Sequence, residues 1–359
     1  MLLTLKSPSR LIAPLPRPRG ELSAFLLEIL PQGPCRLPRA PQFAGDALDD
    51  DDFQLALHCC YELHYRGLHG VDPEWEWEPS LLAWRAVLEA AFEEALRDEL
   101  AWAPSAKDDV VDGLWTLATA GGGPSLSGWA LDHGSVAHAQ EFAVHRSGYQ
   151  LKEADAHTWC IPRLSGRAKA AMVTIQADEY GQGDAAAMHA SLFADTMSAL
   201  GLISAYGHYV DDLPAATLAT DNLVSYFGLH RRWRGALVGH LALFEMTSVG
   251  PMARYGSWLQ RLGISERGRR FYDAHVAADE EHQHIAANDL AGGLVEDEPD
   301  LAGDVLWGAG VLSAVERRFS NRLLTCWQGG RSSLYEAWAE SPGPAGDQGR
   351  AKAKIPTPL

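Results

Sequence analysis

The stretch from Phe271 to Leu290, FYDAHVAADEEHQHIAANDL, constrains the fold and chemistry of this chain more than any other. If it forms one helix, His275, Asp279 and His282 lie within roughly 60° of one another on a single stripe. Apolar residues flank that stripe, which predicts that it faces a core. Burying an unpaired carboxylate is costly, so the core must supply a cation or hydrogen-bond donors. Because a metal ion would also use two neutral imidazoles, the stripe predicts a metal site.

A second pair of residues on the same helix offers an alternative site. Glu281 and His284 form a Glu-x-x-His pair, as in ferritin-like diiron bundles. His284 would lie roughly 160° around the helix from His282, so the two frames cannot serve one site. We favour the first frame because it holds three candidate ligands between apolar residues. A solvated polar helix with scattered histidines is the metal-free interpretation.

Composition limits the classes of partner. The chain has 359 residues, is 47% hydrophobic and carries a net charge of −17, which disfavours nucleic-acid and anionic-membrane partners. The sequence contains no run of about 18 apolar residues that would predict a membrane span. The odd number of cysteines without metal-finger spacing favours reduced thiols and a cytoplasmic location. These cysteines are Cys35, Cys59, Cys60, Cys160 and Cys326. A small-molecule substrate is the expected partner, and a homodimer stays open.

Hydrophobic periodicity predicts an all-α protein, because no alternation of period two extends beyond a few residues. We predict an N-terminal arm and helical region over 1–125, a helical core over 126–335, and a disordered Pro/Gly/Lys-rich tail over 336–359. The predicted core helices are 134–160, 165–181, 184–203, 213–228, 231–249, 251–262, 266–292 and 298–328.

Two further candidate ligands, Glu179 and His189, flank a glycine-rich segment. On one straight helix they would lie about 15 Å apart along the axis, too far for one metal ion. Gly181 and Gly183 should end the first helix, and Asp184 is a suitable N-cap for the next. A sharp turn could therefore bring both side chains to one point. The alternative is a surface glutamate and a core histidine.

Single acids on two other helices complete the candidate set. Glu245 interrupts the apolar segment GALVGHLALFEMTS, where an unpaired buried carboxylate would be costly. Glu153, in YQLKEADAHTW, is weaker, since a surface acid on a polar turn explains it equally well. Its neighbours Asp155 and His157 are less favoured as ligands.

In this pattern the chain resembles the haem-oxygenase-like diiron oxidases, often labelled iron-containing redox enzymes, from about Gly134 to Gly293. The motif is an isolated Glu, a Glu-x9-His around a DEYGxGD-like turn, a lone Glu in an apolar helix, and His-x3-Asp-x2-His. The resemblance implies a haem-oxygenase-like helical bundle with an N-terminal helical extension. It also implies seven ligands to two iron ions: Glu153, Glu179, His189, Glu245, His275, Asp279 and His282.

The resemblance further implies how the ligands divide and what they do. One iron would be held by Glu153, Glu179, His189 and His282, and the other by Glu179, Glu245, His275 and Asp279. The implied activity is O₂-dependent oxidation of a small molecule. His275 is additional to the six-ligand family core and resembles members that N-oxygenate amines.

Three other functions are compatible with the sequence. Oxidative C–C cleavage or decarboxylation of an amino or fatty acid could occur at the same site. A metal-free helical binding or scaffold protein would use the acids structurally. Iron storage is disfavoured, because the chain lacks two matched Glu-x-x-His helices.

Overall fold

The computed structural model describes residues 12–100, 109–120 and 125–335, which form helices joined by turns. The α-helices are α1 Glu21–Ile29, α2 Asp51–Glu62, α3 Pro79–Asp98, α4 Val110–Thr119, α5 Leu126–His133, α6 Val136–Gln150, α7 Asp155–Thr158, α8 Gly166–Glu179, α9 His189–Ala199, α10 Ala215–Leu229, α11 Arg234–Arg261, α12 Glu266–His284, α13 Gly293–Asp297 and α14 Ala302–Gln328. A π-helix spans Ile285–Gly292, and 3₁₀ turns span Pro73–Trp77, Ile161–Arg163, Gly181–Gly183, Val210–Asp212, Arg231–Trp233 and Pro299–Leu301.

The predicted all-α class is confirmed. In the described ranges the only β-type pairing is an isolated bridge between Ala13 and Leu68. None of the helices described is long and apolar enough to cross a membrane. The predicted tail over 336–359 and residues 121–124, near the predicted domain boundary, lie outside the described residues. The division into domains stays a prediction.

The long helix α11 lies at the centre of the bundle and packs against α12 and α14 along much of its length. Two glycines allow the backbones of α11 and α14 to touch. A Cβ atom on Gly239 would lie 1.8 Å from the carbonyl oxygen of Val305, and one on Gly308 would lie 2.0 Å from that of Ala236. Only glycine fits at either position, so this contact fixes the spacing of the two helices.

Two predicted helix boundaries in the core were wrong. The predicted breaks near residue 250 do not occur, because α11 continues through Pro251 to Arg261. A proline inside a helix costs about 3 kcal/mol, and the packing of α11 against its neighbours outweighs this cost. The predicted helix 134–160 instead ends at Gln150 and restarts at Asp155. Ala154 lies between the two segments with φ +71°, a left-handed conformation that breaks the helix.

The predicted break after Glu179 is confirmed, but the next helix begins later than expected. The α8 helix ends at Glu179, and Gly181 has φ +62°. The side chain of Asp184 accepts a hydrogen bond from the backbone N–H of Ala186, at 2.9 Å, and closes a turn rather than capping a helix. Helix α9 therefore starts at His189, five residues after Asp184. The turn folds α9 back towards α8, which brings Glu179 and His189 together as we predicted.

A buried ionic network joins the N-terminal helix α2 to the core. Lys152 Nζ lies 3.0 Å from Asp221 Oδ2 and 3.4 Å from Glu62 Oε2. His58 Nδ1 lies 3.2 Å from the same Asp221 oxygen, and the Tyr206 hydroxyl donates to Glu62. Burial alone would lower the pKa of Lys152, but Asp221, Tyr206 and Glu62 raise it well above its usual value. Lys152 is therefore charged, and the acids around it are its counter-ions.

Candidate metal centre

The first ligand group gathers four residues from different parts of the core. One ligand atom each from Glu153, Glu179, His189 and His275 lies within 4.8 Å of the others. His189 Nδ1 is 2.8 Å from Glu179 Oε2, and His275 Nε2 is 3.6 Å from Glu153 Oε1. Glu153 reaches the site from the turn between α6 and α7, beside the left-handed Ala154. Such strained backbone is often found at functional sites.

The second ligand group shares Glu179 with the first. Ligand atoms of Glu179, Glu245 and His282 lie within 4.8 Å of one another. His282 Nδ1 is 3.3 Å from Glu245 Oε2. Six of the seven predicted ligands thus fall into two overlapping groups, with Glu179 common to both.

Asp279, the seventh predicted ligand, lies beside the second group. Its Oδ1 atom is 3.6 Å from His282 Nδ1, and its Oδ2 atom accepts a hydrogen bond from Ser248. Asp279 is 1% exposed and lines the same small cavity as Glu153, Glu179 and Glu245. It is therefore placed to approach a metal ion, but it belongs to neither group.

The grouping of the histidines differs from the one that the resemblance implied. His275 lies with Glu153 and His189, whereas His282 lies with Glu245. The centroids of the His189 and His275 rings are 4.2 Å apart. His275 and His282 are separated by about 10 Å along α12, so they reach opposite ends of the site.

The competing Glu-x-x-His frame points away from these groups. Glu281 and His284 are both exposed, and the His284 ring packs against Trp115 with a centroid distance of 5.6 Å. In contrast, His275, Asp279 and His282 are each no more than 3% exposed. The geometry supports the frame that we favoured.

The site strongly stabilises positive charge. Burial opposes the imidazolium form of His275, but Glu153, Glu179 and Asp279 raise its pKa to about 10. Burial also opposes charge on His282, while Asp279, Glu245 and Asp178 raise its pKa to about 11. Burial, together with the nearby Asp279 and Glu179, raises the pKa of Glu245 to about 8. No lysine or arginine lines the described part of this cavity.

Unsatisfied polar atoms indicate that the donor set fits a metal ion. Buried atoms of these residues that lack a hydrogen-bond partner within the described chain are both carboxylate oxygens of Glu153, Glu179 Oε2, His189 Nδ1, Asp279 Oδ1 and His282 Nδ1. The close His189–Glu179 contact lacks hydrogen-bond geometry, which leaves both atoms on this list. Buried polar atoms normally have partners, so this concentration is unusual. Carboxylate and imidazole donors together suit iron.

Two histidines are oriented by groups outside the ligand set. His275 Nδ1 lies 2.8 Å from the carbonyl oxygen of Phe271, which leaves Nε2 facing the site. His282 Nε2 lies 2.8 Å from Asp178 Oδ2, which leaves Nδ1 facing the site. Such partners fix the tautomer and orientation of metal-binding histidines. Sequence analysis missed Asp178 and Ser248. The adjacency of Asp178 to Glu179 was the only signal, and adjacent residues on a helix point in different directions.

A cavity of about 550 Å³ adjoins the candidate metal centre. Phe244 lines both the small cavity among the ligands and this larger one. Ser248, the hydrogen-bond donor to Asp279, also lines the larger cavity. The volume lies in the range of small-molecule sites.

We predict that His282→Ala removes at least one iron equivalent per chain, because Nδ1 of His282 faces Glu245 and Glu179. His284→Ala should leave the iron content unchanged, since His284 is exposed and faces Trp115. Iron is measured by mass spectrometry after anaerobic Fe(II) loading and desalting. Loss of iron in the His284 variant alone would establish the competing frame instead.

We also predict that Asp178→Ala weakens iron binding by about 10- to 100-fold, as is typical when the partner of a metal-binding histidine is removed. The reason is that His282 would lose the acceptor that holds its ring. Competition with a chelator of known iron affinity measures the change. Asp273→Ala, at an exposed position of α12, is the matched control. Equal iron affinities in the two variants would show that Asp178 does not support the site.

Residues 140–316 match the model of a protein family described as iron-containing redox enzymes. The match runs from α6 to α14 and includes all seven predicted ligands. No curated protein is detectably similar to the chain. The family resemblance read from the motif is confirmed. Residues 140–316, just under half of the chain, are therefore similar to the iron-containing redox enzyme family.

Proposed function

We propose that this protein is a non-haem oxidoreductase that holds two iron ions and uses O₂ to oxidise a small molecule, with an amine nitrogen as the oxygenated atom. The observation that carries this proposal is the pair of overlapping ligand groups sharing Glu179. A single metal site would not need a carboxylate common to two sets of donors.

The residues divide between the two metal positions as the structure groups them. Glu153, His189 and His275 would hold one ion, Glu245 and His282 the other, and Glu179 would contact both. When bound, a pair of Fe(II) ions supplies two electrons which, with two from the amine nitrogen, reduce O₂ to one transferred oxygen atom and water. Asp279 lies where it could replace or join Glu245.

The protein's own contribution is to orient ligands and exclude water. The Phe271 carbonyl and the Asp178 carboxylate fix the His275 and His282 rings before metal binds. Tyr149, Leu241 and Phe244 form the apolar part of the wall around the ligands. A dry and shaped site protects reactive species from water and directs them to the substrate. The adjoining cavity gives the substrate a place to bind.

The presence of His275 in the first group supports oxidation of an amine. With both ions bound and the histidine protons displaced, the site would have three neutral imidazoles beside four carboxylates. A further carboxylate in its place would add negative charge. A less negative ligand set favours an electrophilic reaction with a nitrogen lone pair over hydrogen abstraction from carbon.

A single-turnover experiment tests the proposal. The protein is loaded with Fe(II) without oxygen, its iron content is measured, and a pulse of ¹⁸O₂ is given with a panel of amines, amino acids and fatty acids. We expect about two iron ions per chain and a hydroxylamine carrying one labelled oxygen atom. Glu281→Gln, which changes an exposed acid on α12, should behave like the wild type.

Two other results of this experiment would contradict the proposal. Loss of carbon from an amino or fatty acid, without oxidation of any amine, would replace N-oxygenation by C–C cleavage. A chain that binds no iron would indicate a scaffold in which the acids are structural.

A further inference from the structure

One face of α11 forms a continuous wall of the larger cavity. Phe244, Thr247, Ser248, Pro251 and Arg254 all line it, at the spacing of one helical stripe. Ten residues separate the first and last of these, which corresponds to about 15 Å along the helix axis. The cavity is therefore elongated along α11, with one end at the metal centre.

The two ends of this stripe differ in chemistry. At the inner end, Phe244 borders the metal ligands and Ser248 donates to Asp279. Buried apolar and aromatic side chains also line the cavity, among them Phe142, Met252 and Leu312. At the outer end of the stripe lies Arg254, and the exposed Arg317 of α14 also lines the cavity.

The Arg254 side chain is held by a hydrogen bond, but its charge has no acidic partner in the described residues. Its Nε donates to the Ser127 hydroxyl at 2.8 Å, while its terminal nitrogens have no hydrogen-bond or carboxylate partner in the described ranges. Arg317 likewise forms no ion pair there. Arg146, in the same cavity, is different, because it makes two parallel hydrogen bonds to Glu316 at 2.9 and 2.8 Å. In a protein with a net charge of −17, unpaired arginines in a cavity are notable.

We propose that this cavity binds a substrate carboxylate at Arg254, assisted by Arg317, and holds an extended apolar body along α11. A guanidinium with free terminal nitrogens matches a carboxylate in charge and shape. This proposal rests on the proposed function, since it assumes that the cavity delivers substrate to the metal centre.

The arrangement specifies which end of the substrate reacts. The Arg254 guanidinium lies back along α11 beside Gly250, where a Cβ atom would be 3.4 Å from its Nη1. Gly250 is about 9 Å along the helix axis from Phe244, so a carboxylate held by Arg254 keeps the carbon that bears it away from the metal ligands. The opposite end of the substrate lies beside Phe244 and Ser248. The substrate class is therefore a long carboxylic acid with an amine at its far end, and decarboxylation at this site is disfavoured.

A set of probes with one chain length and different end groups tests this. Octanoate, octan-1-ol, octylamine and 8-aminooctanoate are titrated calorimetrically, without oxygen, into the protein as isolated and after Fe(II) loading. We expect the two carboxylates to bind more tightly than the alcohol or the amine. Arg254→Gln should weaken carboxylate binding by roughly ten- to a hundredfold and leave octan-1-ol unchanged.

A second variant and two controls complete the design. Arg317→Gln alters an exposed side chain that forms no ion pair in the described chain, so this variant should fold normally. Weaker octanoate binding to it would therefore report a lost contact with the carboxylate. Arg36→Gln makes the same charge change at an exposed position outside the cavity and should have no effect. Near-ultraviolet circular dichroism verifies that each variant is folded.

The proposal is overturned if octanoate fails to bind the wild type, binds no better than octan-1-ol, or binds unchanged to both the Arg254 and Arg317 variants. Because no turnover is needed, failure here leaves iron-dependent oxidation intact. Conversely, a protein that binds carboxylates through Arg254 but loads no iron would refute the proposed function alone.

Discussion

Replacing Glu179 by glutamine should abolish O₂-dependent oxidation and reduce bound iron to less than one ion per chain. Glu179 is the only residue present in both ligand groups, so one substitution removes a donor from each. Glutamine has nearly the same shape but lacks the negative charge that a shared ligand to two cations requires. Iron content after anaerobic loading and product formation after an oxygen pulse measure the two effects.

The stability of the iron-free variant distinguishes loss of a ligand from loss of the fold. Burial raises the pKa of the Glu179 carboxyl in the iron-free protein, but His189 and His275 outweigh this effect and hold the pKa below its usual value. We therefore expect the iron-free Glu179→Gln protein to unfold cooperatively, at a somewhat lower denaturant concentration than the wild type, because glutamine lacks the charge that these histidines stabilise. A variant that keeps two iron ions would show that Glu179 is not shared.

Replacing Lys152 by methionine should lower the free energy of unfolding by about 3–5 kcal/mol, the usual cost of leaving buried charges without their partner. Lys152 is the cation between Glu62 and Asp221, with Nζ within 3.4 Å of a carboxylate oxygen of each. Methionine fills a similar volume, so the effect reports charge rather than packing. Urea denaturation of the iron-free protein measures it.

The matched control is Arg267→Met, which breaks an ion pair with Asp195 on the surface. The Arg267 side chain is 77% exposed, and exposed pairs of this kind contribute little to stability. If the two substitutions had equally small effects, the network around Lys152 would not hold α2 to the core.

Where a single helix or a single acid carried the signal, the sequence alone predicted which side chains are buried at the candidate site. The spacing of His275, Asp279 and His282 identified the buried face of α12 directly, because helical periodicity depends only on residue number. Glu245 was identified because an acid in an apolar helix needs a partner. Neither inference required knowledge of how the helices pack.

Other features of the site and of the fold depend on how the helices pack, which residue spacing does not encode. Whether His275 or His282 lies beside Glu153 is set by how α12 crosses the other helices. The contact between Asp178 and His282 joins α8 to α12, and nothing in either segment predicts it. The continuation of α11 through Pro251 reflects packing that outweighs a local preference.

The backbone contact between α11 and α14 has a consequence for the range of molecules that the protein can accept. Gly239 and Gly308 set the distance between two helices whose next turns both line the cavity, through Phe244 and Leu312. Substitutions in the lining would change the shape and polarity of the cavity while keeping this distance. The width of the cavity, in contrast, depends on Gly239 and Gly308, which do not line it. A larger side chain at either glycine would push the two helices apart. The diameter of any molecule that this cavity holds is therefore set by the spacing of the two helices as well as by the residues that line it.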